Sequence, residues 1–155
     1  MRYFARMMAV CALPAIAIPA GAQTMSAASP ETIVQGLQAL GYSAKLETDN
    51  EGDPKISSSA AGVNFTIYFY GCSANANCQD LSFSSGFDLD TPTTAASMNE
   101  WNQTELLGKA SIDDEGDPYI RHFVAGFQDV SPAMMDRLMY RWTAALGEFT
   151  EYIDW

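Results

Sequence analysis

DNEGDPKI (Asp49–Ile56) and DDEGDPYI (Asp113–Ile120) are two copies of one acidic phrase within a chain of 155 residues. Each copy stands between two short segments of extended character. Gly52 and Gly116 can take the positive φ that a tight reversal requires. The neighbouring Asp and Asn side chains can accept hydrogen bonds from the turn's own amides. Pro54 and Pro118 then open the returning strand, where a missing N–H costs little. Every residue type in the phrase is accounted for by a hairpin, so the chain is predicted to hold two hairpins built on the same turn.

The same acids could instead mark a metal site or a catalytic pair. An EF-hand loop spaces its oxygens D-x-[DN]-x-[DN]-G and ends on a Glu. Asp49, Glu51 and Asp53 alternate, but Gly52 falls one place too early and no Glu closes the loop. Asp113, Glu115 and Asp117 depart from the pattern in the same way. No metal ligand set and no cofactor is expected. A glycosidase pair would face across a cleft, whereas these acids sit on exposed turns where water keeps carboxylates ordinary. The chain also lacks a Gly-rich phosphate loop, a histidine pair and a G-x-S-x-G elbow. His122 is its only histidine. On the alternation of YIRHFVAGF it faces away from Phe123 and Phe127, which reads as a surface or satisfied polar residue with no nucleophile beside it. No catalytic residue is assigned, and the chain is read as a non-enzyme.

Working outward from the two turns, YSAKLET and PKISSSA are strands around the first, and LGKASI and YIRHFVAGF are strands around the second. VNFTIYFY alternates, with Phe65, Ile67 and Phe69 on one face and Asn64, Thr66, Tyr68 and Tyr70 on the other. LSFSSGFDL places Leu81, Phe83, Phe87 and Leu89 on one face. SPETIVQGLQALG reads as a helix, with Ser29 as N-cap, Pro30 in the first turn and Gly41 at its end. A short helix follows the fourth strand, capped by Thr94 and carrying Met98 and Trp101. The last helix opens with Ser131 and Pro132. Its Met135, Leu138, Met139, Trp142, Leu146, Phe149 and Ile153 recur every three or four residues. The order α-ββββ-α-ββ-α predicts an α+β fold, an antiparallel sheet with helices packed on one face.

The N-terminus reads as an address. Arg2 and Arg6 precede the apolar run MMAVCALPAIAIPA, and Ala20-Gly21-Ala22 follows, which is the grammar of an export signal over residues 1–22. Residues 23–28 are expected to form a loose mature N-terminus, and residues 29–155 a single domain. The product is placed in the bacterial periplasm or outside the cell, with no membrane insertion after cleavage. Without Arg2 and Arg6, six Lys and Arg remain against 19 Asp and Glu, a formal charge of −13. That charge repels phosphate backbones and anionic lipid, so nucleic acid is excluded as a partner. Cys72 and Cys78 flank five small polar residues. In an exported chain such a pair reads as a disulfide closing a hairpin end, worth about 2 kcal/mol for so short a loop.

The stretch MNEWNQTELLGKASIDDEGDPYIRHFVAGF, followed by SPAMMDRLMYRWTAALGEF, resembles the YbjN family of bacterial proteins. The resemblance rests on Asn99 and Asn102 at the helix end, the Gly108-Lys109 strand, the acidic Gly turn, and the closing helix with Trp142 and Phe149. It covers Ser29 to Trp155. The family is described as a sensory transduction regulator and is similar in fold to type III secretion chaperones, dimers that bind extended polypeptide. The resemblance therefore implies a type III secretion chaperone-like fold, a homodimer, and a protein or extended peptide as partner. With the lack of catalytic grouping, the chain is read as an exported protein-interaction module, chaperone-like or regulatory. Tyr68 and Tyr70 are the candidate binding face, since Tyr offers contact area and a hydrogen bond together. The alternative is a small-ligand carrier or hydrolase, which would need a pocket joining polar groups from distant segments.

Overall fold

The computed structural model describes residues 24–155. The expected export signal, residues 1–22, lies outside the described residues. The elements run α1 (Pro30–Ala39), β1 (Ala44–Thr48), β2 (Pro54–Ala60), β3 (Val63–Tyr70), β4 (Asp80–Gly86), α2 (Ala95–Thr104), β5 (Lys109–Ile112), β6 (Pro118–Val124) and α3 (Pro132–Tyr152). The fold is α+β in the expected order. The strands form one sheet, β1-β2-β3-β4-β6-β5, and every neighbouring pair is antiparallel. β1 to β4 make a meander, and the β5–β6 hairpin joins it with β6 inward.

The two acidic phrases fold alike. In the first, the Asp49 amide donates to the Asp53 carbonyl at 2.8 Å. Oδ1 of Asp49 accepts from the amides of Glu51 (2.9 Å) and Asp53 (3.0 Å). In the second, Oδ1 of Asp113 accepts from Glu115 and Asp117, both at 3.0 Å. Gly52 and Gly116 have φ of +92° and +86°. The register places the two turns at opposite ends of the sheet.

One face of the sheet is apolar because alternate residues of each strand are, and the helices cover it. Ile56, Phe65, Ile67, Phe69, Leu81, Phe83 and Ile120 meet Ile33 and Leu37 of α1 and the apolar face of α3 in one buried cluster. Trp142 anchors α3, its ring centroid 5.8 Å from Phe65 and 5.6 Å from Phe83. Phe149 packs between Trp101 of α2 and Phe87. The Trp142 indole N–H is the only buried side-chain donor without a partner among the described residues.

Helix ends follow the sequence with one exception. Thr94 and Ser131 accept from Ser97 and Met134 as N-caps. At the end of α1, Gly41 (φ +89°) lets its own amide reach the Gln38 carbonyl and that of Tyr42 reach Leu37. These two bonds satisfy carbonyls the helix leaves open. Ser29 makes no side-chain cap bond. Instead Thr32 Oγ1 donates to the Ser29 carbonyl and accepts from the Ser26 amide.

That bond belongs to a larger correction. Residues 24–28 are docked, against the expectation of a loose N-terminus. Met25 exchanges both backbone bonds with Val130, and the Ala27 amide donates to Phe127. Met25 and Ala27 are buried, and Met25 lies against Gly36, where a Cβ would fall 2.1 Å from its sulfur. Two small residues, Gly36 and Ala27, make room for a close approach that apolar periodicity does not report.

Candidate partner-binding face

Among the described residues, nothing covers the face of the sheet away from the helices. Its composition follows from the alternation that built the core, since each strand turns its other side chains outward. The register sets these into rows. One row crosses the sheet as Glu47, Lys55, Tyr68, Ser82 and Phe123. The next runs Lys45, Ser57, Thr66, Ser84, Arg121 and Lys109. Beyond it lie Ser59, Asn64, Gly86, Tyr119 and Ser111. A six-strand row spans about 24 Å at the usual strand spacing.

Both tyrosines of the candidate face point outward from β3. Tyr70 is 49% exposed and Tyr68 half-buried. Tyr70 meets Phe123 of β6 edge-on, ring centroids 6.2 Å apart, across the intervening strand β4. Phe123 is itself 56% exposed. Small Ser82 stands between Tyr68 and Phe123 in its row, so the aromatic groups rise around it. Phe123 was not among the residues assigned to the binding face from the sequence, which were Tyr68 and Tyr70. Its parity with Tyr119 and Arg121 carries the signal, once β6 is known to lie two strands from β3.

Beside the aromatics, Ser57, Asn64, Thr66, Tyr68, Ser84, Gly86 and Tyr119 line a shallow depression of about 360 Å³. Tyr119 lies over Gly86, where any Cβ would fall 2.4 Å from its ring. The Arg121 guanidinium sits 4.7 Å above the Tyr119 ring and donates to Ser111 Oγ at 2.9 Å. A second exposed apolar patch lies on the helix side, where Leu106 and Tyr140 flank a groove with Ala144.

His122 stands opposite Phe83, and so on the helix-covered side of β6, facing away from Phe123 as its alternation implies. It is half-buried, not a surface residue, and desolvation lowers its pKa below the ordinary value. It lines none of the depressions above. Phe127, which alternation sets beside Phe123, is buried instead. β6 ends at Val124, and Gly126 (φ +66°) turns the chain inward. Among the described residues, no group of three or more His, Cys, Asp or Glu could hold a metal ion.

At one end of the face, Cys72 and Cys78 join with their sulfurs 2.10 Å apart. They close the β3–β4 connection, where the Gln79 amide donates to Tyr70. Asn75, inside that loop, donates to Asp53 Oδ1 (2.9 Å) and to the Glu51 carbonyl (3.1 Å). The loop thus clasps the first acidic turn. The second turn reaches outward as well, since Asp117 Oδ1 accepts from the Leu89 amide. Asn102 closes the sheet's β5 edge, donating to the Ala110 carbonyl (3.0 Å) and accepting from its amide (2.7 Å). Trp101 Nε1 donates to the Gly108 carbonyl beside it.

These are the Asn-x-x-Asn helix end, Gly108-Lys109 strand and acidic Gly turn, each with a structural task. A family model, YbjN, described as "Putative bacterial sensory transduction regulator", matches residues 29–155. The chain belongs to the YbjN family. None of the curated proteins matches it. The YbjN match begins at the foot of α1 and takes in α1 to α3 and β1 to β6, while Met25 and Ala27 of the core precede it. The YbjN description is regulatory and names no catalysed reaction.

Proposed function

We propose that this YbjN protein is an exported, non-enzymatic interaction module with a regulatory or chaperone-like role, which receives an extended polypeptide on its open sheet face. The observation that carries the reading is the exposed Tyr70–Phe123 pair, with Tyr68 beside it, on the sheet face opposite the three described helices. Aromatic groups with an apolar body and a polar tip recur at the centres of protein interfaces. The rows of hydroxyls around them offer donors and acceptors to a main chain. The cysteine pair at bonding distance supports export, because such pairs persist in oxidising compartments.

A photo-crosslinking amino acid placed at position 70, and as a control at position 140 on α3, tests the reading in an envelope extract. Covalent polypeptide adducts are expected from position 70, and their yield should fall when Phe123 is replaced by Ala. Adducts from position 140 alone would move the binding surface to the helix side. An absence of adducts from both positions would remove the interaction reading.

A further inference from the structure

We propose that the polypeptide received by the open sheet face is acidic, and that Arg121 and Lys109 hold its carboxylates. This deepens the function proposed above and rests on it.

The inference starts from where the cations are. Residues 24–155 hold six Lys and Arg, namely Lys45, Lys55, Lys109, Arg121, Arg137 and Arg141. Four of the six point from the open face of the sheet, by the register that sets them in rows with Tyr68 and Thr66. Only two of the 19 acids, Glu47 and Asp80, point from the same face of the strands. The face is therefore net positive by two, within a chain segment of net charge −13. A net field of one sign would attract a basic partner to the molecule as a whole. This face presents the opposite sign.

The face also shows how it holds a carboxylate. Glu47 is gripped by Lys45 Nζ at 2.7 Å and by the Ser57 hydroxyl, and both contacts lower its pKa. One cation and one hydroxyl thus fix one carboxylate at the β1–β2 end of the row. The other end repeats the donors: Arg121 and Lys109 stand with Ser84 and Ser111. No carboxylate among the described residues lies within ion-pair distance of Arg121 or Lys109. The arrangement at one end holds a carboxylate from its own chain, and the other end has the donors to take one from a partner. Arg121 is held over Tyr119 and bonded to Ser111, so its guanidinium is already ordered for a charge-assisted contact.

Panning a random dodecapeptide display library against the immobilised full chain at low salt tests the proposal. Bulk charge alone would enrich basic peptides, so the two expectations have opposite signs. The proposal expects an enriched pool of net negative charge, whose binding weakens steeply with added salt. R121E with K109E should reduce that binding by about tenfold or more, and the neutral pair R121Q with K109Q by less. R137E with R141E, which change the same charge on α3, should leave it unaltered. A neutral or basic pool that still depends on Tyr70 and Phe123 would overturn the acidic partner and leave the interaction module standing. An acidic pool indifferent to Arg121 and Lys109 would overturn the site. No enrichment of any peptide, with a uronate oligosaccharide retained by the same face, would overturn both readings in favour of an anionic glycan.

Discussion

Gly52 and Gly116 occupy the same place in the same turn, yet their surroundings differ. A Cβ at Gly52 would meet the Asn75 side chain at 3.2 Å, while one at Gly116 would meet Pro92 at 2.7 Å. Gly41 has a similar positive φ but open space around it. Gly41→Ala isolates the backbone cost of φ near +90°, about 1–2 kcal/mol. Gly116→Ala should cost more, because the Pro92 segment must also shift, and urea unfolding of the two variants measures the difference. A second residue-scale prediction concerns His122, whose pKa desolvation holds below its ordinary value. The folded state thereby favours the neutral ring. Stability from this source is complete above the unfolded-state pKa of about 6.5 and is lost as pH falls through it toward the folded value. His122→Gln lacks that dependence. The melting temperature of the parent relative to His122→Gln should therefore fall between pH 8 and pH 5. A constant difference would mean that burial of the ring is not felt.

At the scale of elements, what the sequence made legible was local, and what it hid was long-range. Ser131, Thr94 and Gly41 act on amides and carbonyls within a few residues, so their roles could be read from spacing. The doubled turn was legible for the same reason, since Asp49 and Asp113 bond within their own loops. Asp53 and Asp117 were not, because they reach loops 22 and 28 residues away. The inward position of β6, and with it the Tyr70–Phe123 pair, depends on which strand edge accepts a hairpin. Strand alternation is silent on that choice. The docked N-terminus is the clearest case. Met25 is a lone apolar residue in a polar stretch, so no period marks it, yet it bonds to Val130 and fills the space above Gly36. Met25→Ala should cost about 2–4 kcal/mol, as buried Met truncations do. It should also expose the start of α1, seen as faster amide exchange from Thr32 to Gly36. A change below about 0.5 kcal/mol, the range of ordinary surface substitutions, would show the segment to be as loose as its composition suggests.

For the whole molecule, charge is the property that composition reported and distribution qualified. Net charge says little about a single face, because alternation can sort four of six cations onto one side as readily as it sorts apolar residues onto the other. The parity of Lys45, Lys55, Lys109 and Arg121 was present in each strand, but it becomes a face only when one sheet is known to contain them all. The stability consequence can be measured without any partner. Among the described residues there is one ion pair, Lys45 with Glu47, and its lysine is largely exposed. Exposed pairs contribute little, so added salt has almost no favourable contact to screen. What it does screen is repulsion among 19 acids. The melting temperature should therefore rise from about 20 mM to 300 mM sodium chloride, over which the Debye length shortens several-fold. Reversing Lys109 and Arg121 to Glu takes the formal charge of residues 24–155 from −13 to −17, and the rise should steepen. If the melting temperature instead falls with salt, the acids are held by attractive contacts that outweigh their repulsion, and the open face is not the exception to a uniformly repulsive surface.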